Sequence, residues 1–245
     1  FIGDGQHDWS CPHLVTTGRS DPTQHDDGRR IASFVGTLEI EPGATATVSL
    51  ALGQVADREE AATMAQTWRS VALVERALIE ARHYWADRLD LLRVETNRPA
   101  FDRLVNDWLP YQVLTARLWG RTGPNQRGGA FGFRDQLQDV LPLTFTEPEL
   151  ARKQILLHAR QQFVEGDVLQ WWHRSRDGHT GLGARNRASD PHLWLPYVVA
   201  HYVAATGDRG ILAEEVPFLE GRRIPRRVEG VVHVPRPSRD SASLY

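Results

Sequence analysis

Apolar and polar positions alternate over two short runs near the start of the chain. Ile31 to Ile40 alternates around Phe34, Gly36, Leu38 and Ile40, and Ala44 to Leu52 through Ala46, Val48, Leu50 and Leu52. A period of two predicts strands. Glu41-Pro42-Gly43 between them is a turn signal, so the pair reads as a β-hairpin. An isolated hairpin is marginal in water, so these strands are expected to belong to a larger sheet lying mostly before Phe1. Residues 1–30 are polar and turn-rich. Their Gln24-His25-Asp26-Asp27 cluster reads as a solvated loop, because no second group of metal ligands stands at a defined spacing from it.

From Asp57 the period changes to that of a helix. Asp57 and Glu60 stand in capping-box positions, and Val71, Val74, Leu78, Tyr84 and Trp85 continue the spacing to about residue 92. The run Val94 to Pro99 breaks it and marks a domain boundary, giving three zones: 1–56, 57–98 and 99–245. In the third zone Leu104, Trp108, Tyr111, Thr115 and Leu118 form one helical stripe, with Pro110 expected to kink it or mark its first turn. Further helices are expected near 133–143, 148–164 and 190–206, the last ending at Gly207. Trp171-Trp172 and the stretch Gly178 to Asp190 read as loops, and the last 24 residues show no clear period.

The segments opening at Phe133 and Asp190 begin about 57 residues apart with one helix between them, so each reads as the second member of a helix pair. A toroid of six such pairs needs about 350 residues at ordinary helix and loop lengths. Only two pairs fit here, so an α/α barrel would be incomplete.

Composition narrows the function classes. The chain of 245 residues is 41% hydrophobic and 24% charged with a net charge of −2, which excludes disorder and gives no basic stripe for nucleic acid. One cysteine, Cys11, rules out a disulfide scaffold and a cysteine-based zinc site. No run approaches the roughly 18 apolar residues of a membrane span. A cytoplasmic protein is expected. The start at Phe1 is neither an initiator Met nor a signal peptide, so the chain reads as cut from a longer one.

Three segments concentrate candidate chemistry. In Gly128 to Asp139 a glycine-rich loop feeds a helix opened by Arg134 and Asp135, and Asp135 and Asp139, at i and i+4, share a side. Without a Lys-Ser/Thr ending or a preceding strand this is no nucleotide loop. Next to three glycines and two Phe it suits sugar hydroxyls, although an acid there also complements the helix dipole. In Glu165 to His173, Trp171 and Trp172 point apart, so one is expected in the core and one free to stack on a sugar ring. His173 fits a satisfied loop histidine at least as well as a ligand contact. In Gly181 to Pro196, Ser189 or Asp190 caps a helix with Pro191 at its first position, and Arg185 and Arg187 are expected to flank that N-terminus.

Taken together, Trp108-Leu109-Pro110-Tyr111-Gln112, Gly129 to Asp139, Gln162 to Asp167 with Trp171-Trp172-His173, and Ser189-Asp190 with Leu193 to Tyr197 resemble one enzyme family. It is that of cellobiose phosphorylase, chitobiose phosphorylase and the phosphorylase-like domain of cyclic β-1,2-glucan synthase, once classed as glycosyltransferase family thirty-six. The form Gly-Phe-Arg-Asp-Gln-Leu-Gln-Asp is most similar to the glucan synthase branch.

The resemblance implies an α+β multidomain fragment: the end of a β-sandwich in 1–56, a helical linker in 57–98, and the first helices of an incomplete (α/α)6 barrel in 99–245. It implies inverting phosphorolysis or glycosyl transfer on β-linked glucosides or β-glucans. Inorganic phosphate would be the co-substrate of the full enzyme, with no cofactor and no metal. The full-length enzyme would be a homodimer or part of a larger polypeptide. The residues expected to hold sugar are Arg134, Asp135, Asp139, Trp171, Trp172, His173 and Asp190. The family's general acid stands in a Gly-Asp-Trp-Asn-Asp-Gly motif that this sequence lacks, so it is expected beyond Tyr245 and the fragment is expected to be inactive alone. Asn106-Asp107-Trp108 reverses that order and is not assigned to it. Pro191 stands where the family usually has a second Asp. The competing classes are a non-catalytic carbohydrate-binding module and an α/α-barrel glycoside hydrolase, which would need Asp135 and Asp190 as its carboxylate pair.

Overall fold

The computed structural model describes residues 13–19, 36–122, 128–175 and 178–245. The chain divides into two compact units, Phe1–Leu78 and Ile79–Tyr245. The first contains a short helix α1 (His13–Thr17) and α2 (Arg58–Thr67). The expected turn forms: Ala44 N–H donates to Glu41 C=O at 2.9 Å, with Gly43 at φ 81°. The expected hairpin ladder does not. Among the described residues no strand is paired over 36–52, and Leu38, Ile40, Val48 and Leu50 are exposed. Among the described residues no sheet covers their apolar faces, and a hairpin by itself is marginal. Ile31 to Val35 and the His25 cluster lie outside the described residues.

The capping box at α2 is made as the spacing predicts. Asp57 Oδ1 accepts from Glu60 N–H, and Glu60 Oε2 accepts from Ala56 N–H, both at 2.9 Å. A break at residues 68–70 then divides the anticipated long helix, and α3 (Val71–Leu89) follows.

In the second unit, α4 (Pro99–Arg103), a wide turn at Leu104–Trp108, α5 (Leu109–Gln112) and a second wide segment at Val113–Trp119 form an unbroken helical run. In the wide turns the bonds reach back five residues, as from Leu109 N–H to Leu104 C=O and from Gly120 N–H to Thr115 C=O. Pro110 has no N–H to offer the ladder, and the widened turn before it takes up the fault. Asn106, in the unassigned Asn-Asp-Trp triplet, is a structural residue. Its buried amide exchanges two 2.8 Å hydrogen bonds with the backbone of Val94 and anchors the segment before the helix.

The rest is less helical than its periodicity implies. Beside α6 (Phe133–Val140), α7 (Leu143–Thr146), α8 (Pro148–Ala159) and α9 (Pro191–Thr206) the described residues form six strands. These are β1 (Phe131–Gly132), β2 (Leu169–Arg174), β3 (Thr180–Asn186), β4 (Glu215–Glu220), β5 (Gly230–His233) and β6 (Arg236–Ser243). An antiparallel sheet runs β1-β2-β3-β5, and β4 pairs with β6. The Trp-Trp segment and the glycine-rich stretch read as loops are thus strands. In β2 Leu169 and Trp172 turn inward while Gln170 and Arg174 face solvent. In β3 the glycines admit a close neighbour: a Cβ on Gly183 would stand 2.9 Å from Trp171 C=O. The core gathers Phe133, Leu137 and Val140 of α6, Ala151, Ile155 and Ala159 of α8, Leu195, Val198, Val199 and Tyr202 of α9, and Phe163, Leu169 and Trp172.

Helix α9 ends as the sequence predicts, with Gly207 left-handed at φ 75° and its N–H donated to Val203 C=O. Gly207→Ala is expected to destabilise the fold by about 1–2 kcal/mol, the cost of forcing a Cβ into that region. Urea unfolding reads this directly, and an unchanged midpoint would contradict the cap.

Candidate functional site

The start of α6 is where a strand becomes a helix without a side-chain cap. Gly132 ends β1 opposite Trp171 and is also the residue before the first helical turn. Its N–H donates to the side-chain Oε1 of Gln136, and its carbonyl lies 3.3 Å from Nε2 of His158. Phe133 is fully buried, so the helical period turns Arg134 outward.

Arg134 Nη1 donates to Asp190 Oδ2 at 2.6 Å, joining two of the sequence segments across 56 residues. Both side chains remain about half exposed, at 50% and 48%. The expected cap by Asp190 is not made. Asp190 occupies the N-cap position of α9 in a helical conformation (φ −94°, ψ −30°), and its carboxylate turns to Arg134 instead. That hydrogen-bonded guanidinium holds the carboxyl below the usual range. Pro191 opens the helix as expected.

Asp135 and Asp139 do share a side of α6, and Arg117 spans them. Arg117 Nε donates to Asp139 Oδ2 at 2.9 Å, and its Nη2 stands 3.6 Å from Asp135 Oδ1. Burial pushes the Asp139 carboxyl up to about 6, against the opposing pull of Arg117. Asp139 is therefore mostly a buried anchor, whereas Asp135 keeps 42% of its side chain exposed.

The two tryptophans separate. Trp172 is 1% exposed, stacked on Phe131 with centroids 5.2 Å apart and planes 10° apart, and edge-on to His158 at 5.1 Å. It is a core residue, and the expectation that it touches ligand is corrected on that ground. Trp171 is half-buried and meets His173 edge-on at 5.8 Å. Directly opposed residues of a ladder put their side chains on one face, so Trp171 shares a face with the missing side chain of Gly132. Asp135 fills that place, because a Cβ on Gly132 would stand 2.3 Å from Asp135 Oδ2. Asp135, Trp171 and His173 thus lie on one side of the sheet edge, and Arg134, paired with Asp190, leaves α6 one residue before Asp135.

Two arginines depart from expectation. Arg185 is 3% exposed, holding Asp167 through two bonds of 2.6 and 2.5 Å and Glu165 at 3.1 Å, with its guanidinium 3.8 Å from the centre of the Phe163 ring. Arg187 donates to the carbonyls of Ile224, Pro225 and Val228. Each secures its own strand or loop, and neither forms part of the α9 N-terminus.

Three residues of this neighbourhood are not among the expected site residues: Arg117, Gln136 and His158. Gln136 alone carries a signal, as an amide side chain four residues after the helix-opening glycine. Among the described residues no three His, Cys, Asp or Glu gather as metal ligands. The cavity walled by Leu157, Trp172 and Phe218 measures about 330 Å³, and Arg134, Asp135 and Asp190 do not line it. The candidate surface is open.

His158 is fully buried, and burial lowers its pKa from 6.5 to about 4. The folded state thus keeps the ring neutral where the unfolded chain would protonate it. Its contribution is complete above pH 6.5 and is lost as pH falls towards 4. The loss is on the order of 3 kcal/mol at 1.36 kcal/mol per pKa unit. Asp139 works with the opposite sign, since its folded form gains a proton near pH 6 that the unfolded carboxyl takes only below 3.8. His158→Gln is expected to flatten the acid side of the stability curve between pH 6.5 and 4. An equally steep curve in urea melts would remove His158 from that role.

Comparison with known proteins bears on both units. The family described as glycosyl hydrolase 94 superfamily, catalytic domain, matches residues 84–224, and the glycosyl hydrolase 94 supersandwich domain matches residues 1–71. Over 212 residues, 86% of the chain, the sequence is 40% identical to cyclic beta-(1,2)-glucan synthase NdvB of Rhizobium meliloti, covering 7% of that protein. It is 23% identical to N,N'-diacetylchitobiose phosphorylase of Vibrio proteolyticus over 87% of this chain and 30% of that one. It is 29% identical to solabiose phosphorylase of Paenibacillus borealis over 76% and 23% respectively. The chain therefore spans less than a third of the length of each of these relatives.

Proposed function

The chain belongs to the glycosyl hydrolase 94 family, and from that premise we propose that it is part of an enzyme of inverting phosphorolysis or glycosyl transfer on β-linked glucosides. In this reading 1–56 ends a supersandwich, 57–98 is a helical linker, and 99–245 begins an (α/α)6 barrel whose remaining helices lie elsewhere in the polypeptide. The enzyme works in the cytoplasm. The β-1,2-glucan is the favoured substrate class, because the glucan synthase shares 40% identity with this chain and the phosphorylases named above less than 30%.

The observation that carries the proposal is the Arg134–Asp190 pair, which brings two distant segments together beside Asp135, Trp171 and His173. A sugar needs donors and acceptors for its hydroxyls and an apolar plate for its C–H face. The guanidinium donates, the carboxylates accept, and the half-buried indole offers the plate. Asp190 suits holding a hydroxyl more than giving up a proton. Asp190 is kept anionic by Arg134, and Arg117 bonds Asp139 and lies beside Asp135. The general acid is assigned outside this set, because the sequence lacks the Gly-Asp-Trp-Asn-Asp-Gly motif that carries it in the family. It would protonate the glycosidic oxygen while a phosphate oxygen, or an acceptor hydroxyl, bonds to the anomeric carbon from the opposite face as the leaving sugar departs.

Calorimetric titration of the 245-residue chain with β-1,2-linked glucose oligosaccharides should show saturable binding. Arg134→Ala should weaken it roughly ten- to a hundredfold, as expected for hydrogen bonds to a charged group. Trp171→Ala should weaken binding and leave the fold intact, while Trp172→Ala should cost about 3–5 kcal/mol of stability. Added phosphate should yield no sugar phosphate. Absence of binding to any β-linked saccharide would overturn the proposal, and turnover would place the acid among these residues.

A further inference from the structure

The two residues that project from the start of α6 depend on one peptide unit. Gly132 precedes Arg134 and Asp135 by two and three positions, has no side chain of its own, and makes no side-chain cap. Its N–H is taken by Gln136 Oε1. Gln136 is 3% exposed, and the other end of its amide, Nε2, donates to the backbone carbonyl of Arg117 at 3.3 Å. Both ends of one buried side chain are therefore used, and they join α6 to the Val113–Trp119 segment. From that same segment the Arg117 guanidinium reaches Asp139 and Asp135. On the carbonyl side of Gly132 stands His158, wedged edge-on between Phe133 and Trp172 and bonded through Nδ1 to Gln154 C=O at 2.7 Å.

We propose that Gln136 is a positioning residue of the saccharide surface. By bridging the Gly132 N–H and the Arg117 carbonyl it sets the register of α6, and so the direction in which Arg134 and Asp135 leave the helix and the reach of Arg117 to Asp135. It touches no ligand itself. The inference rests on the proposed function in one respect only, that ligand binds at Arg134 and Asp135. A buried polar side chain satisfied at both ends is a rigid strut, since releasing either end leaves a backbone group unpaired. Binding groups held loosely by their support lose affinity without losing their identity.

The test uses two substitutions in the 245-residue chain. Gln136→Leu puts a slightly smaller apolar side chain in the same place and removes both bonds. Gln136→Glu keeps the acceptor for Gly132 N–H, and its carboxyl, buried and so protonated, offers an O–H to the Arg117 carbonyl in place of the amide. With the chain still folded, Gln136→Leu should weaken binding of β-1,2-linked glucose oligosaccharides about tenfold, 1.4 kcal/mol. It should also speed hydrogen exchange at the Gly132 amide and shift the backbone resonances of Arg134 and Asp135. Gln136→Glu should keep Gly132 exchange slow and hold affinity within about threefold of the parent. This rescue also carries the test if the Leu variant does not fold. Unchanged affinity and unchanged Gly132 exchange in Gln136→Leu would overturn the proposal, as would a loss in Gln136→Glu as large as that in Arg134→Ala. If the parent chain binds no saccharide, the functional reading fails by itself. The exchange and resonance measurements then still decide whether Gln136 positions α6.

Discussion

The conversion of strand to helix at Gly132 is the constraint on which the second unit is built. Within three residues the backbone must pair with β2, turn, and start α6 with a large aromatic buried on each side. Phe131 stacks on Trp172, and Phe133 packs at 0% exposure against the edge of His158. The residue between them is a glycine, and a Cβ there would displace the Asp135 carboxylate, which occupies its place. The aromatic packing fixes the peptide, and the peptide aims Arg134 outward. Arg134 then determines what Asp190, at the head of α9, does with its side chain. Local backbone geometry, core packing and surface chemistry are one problem here.

Electrostatics follow from that geometry. Each acidic group near α6 is answered by a guanidinium: Asp190 by Arg134, Asp135 and Asp139 by Arg117. The pairs differ in kind. Arg134–Asp190 is half exposed and contributes little to stability. Arg185, bonded to Asp167 and Glu165 at 3% exposure, has given up solvent. Its value lies in fixing the Glu165-Gly166-Asp167 turn that leads into β2, since breaking one partner of such a pair is costly.

How far the sequence alone could be read follows from which signals are local. The α2 cap and the α9 terminus at Gly207 depend on a few adjacent residues, and both are as the spacing implies. The strands β2 and β3 were hidden because their signals look like something else. Adjacent tryptophans read as an exposed loop, and Gly181 and Gly183 read as turn residues where they permit close packing of chains. The Asp190 cap failed for a related reason: a capping residue takes the better partner, and Arg134 lies 56 positions away. Family motifs named the candidate residues without telling the buried ones from the exposed ones. Burial separates them, putting Trp172 and most of Asp139 inside and leaving Arg134, Asp135, Trp171, His173 and Asp190 at the surface.

The surface proposed to take a β-linked saccharide is formed by β1, β2 and the starts of α6 and α9. Backbone hydrogen exchange, followed residue by residue with and without saturating β-1,2-linked glucose oligosaccharide, examines that assignment most directly. Slower exchange is predicted across residues 131–139, 169–174 and 188–193 together. Slowing confined to the cavity walled by Leu157, Trp172 and Phe218, or no slowing at those three segments, would contradict it.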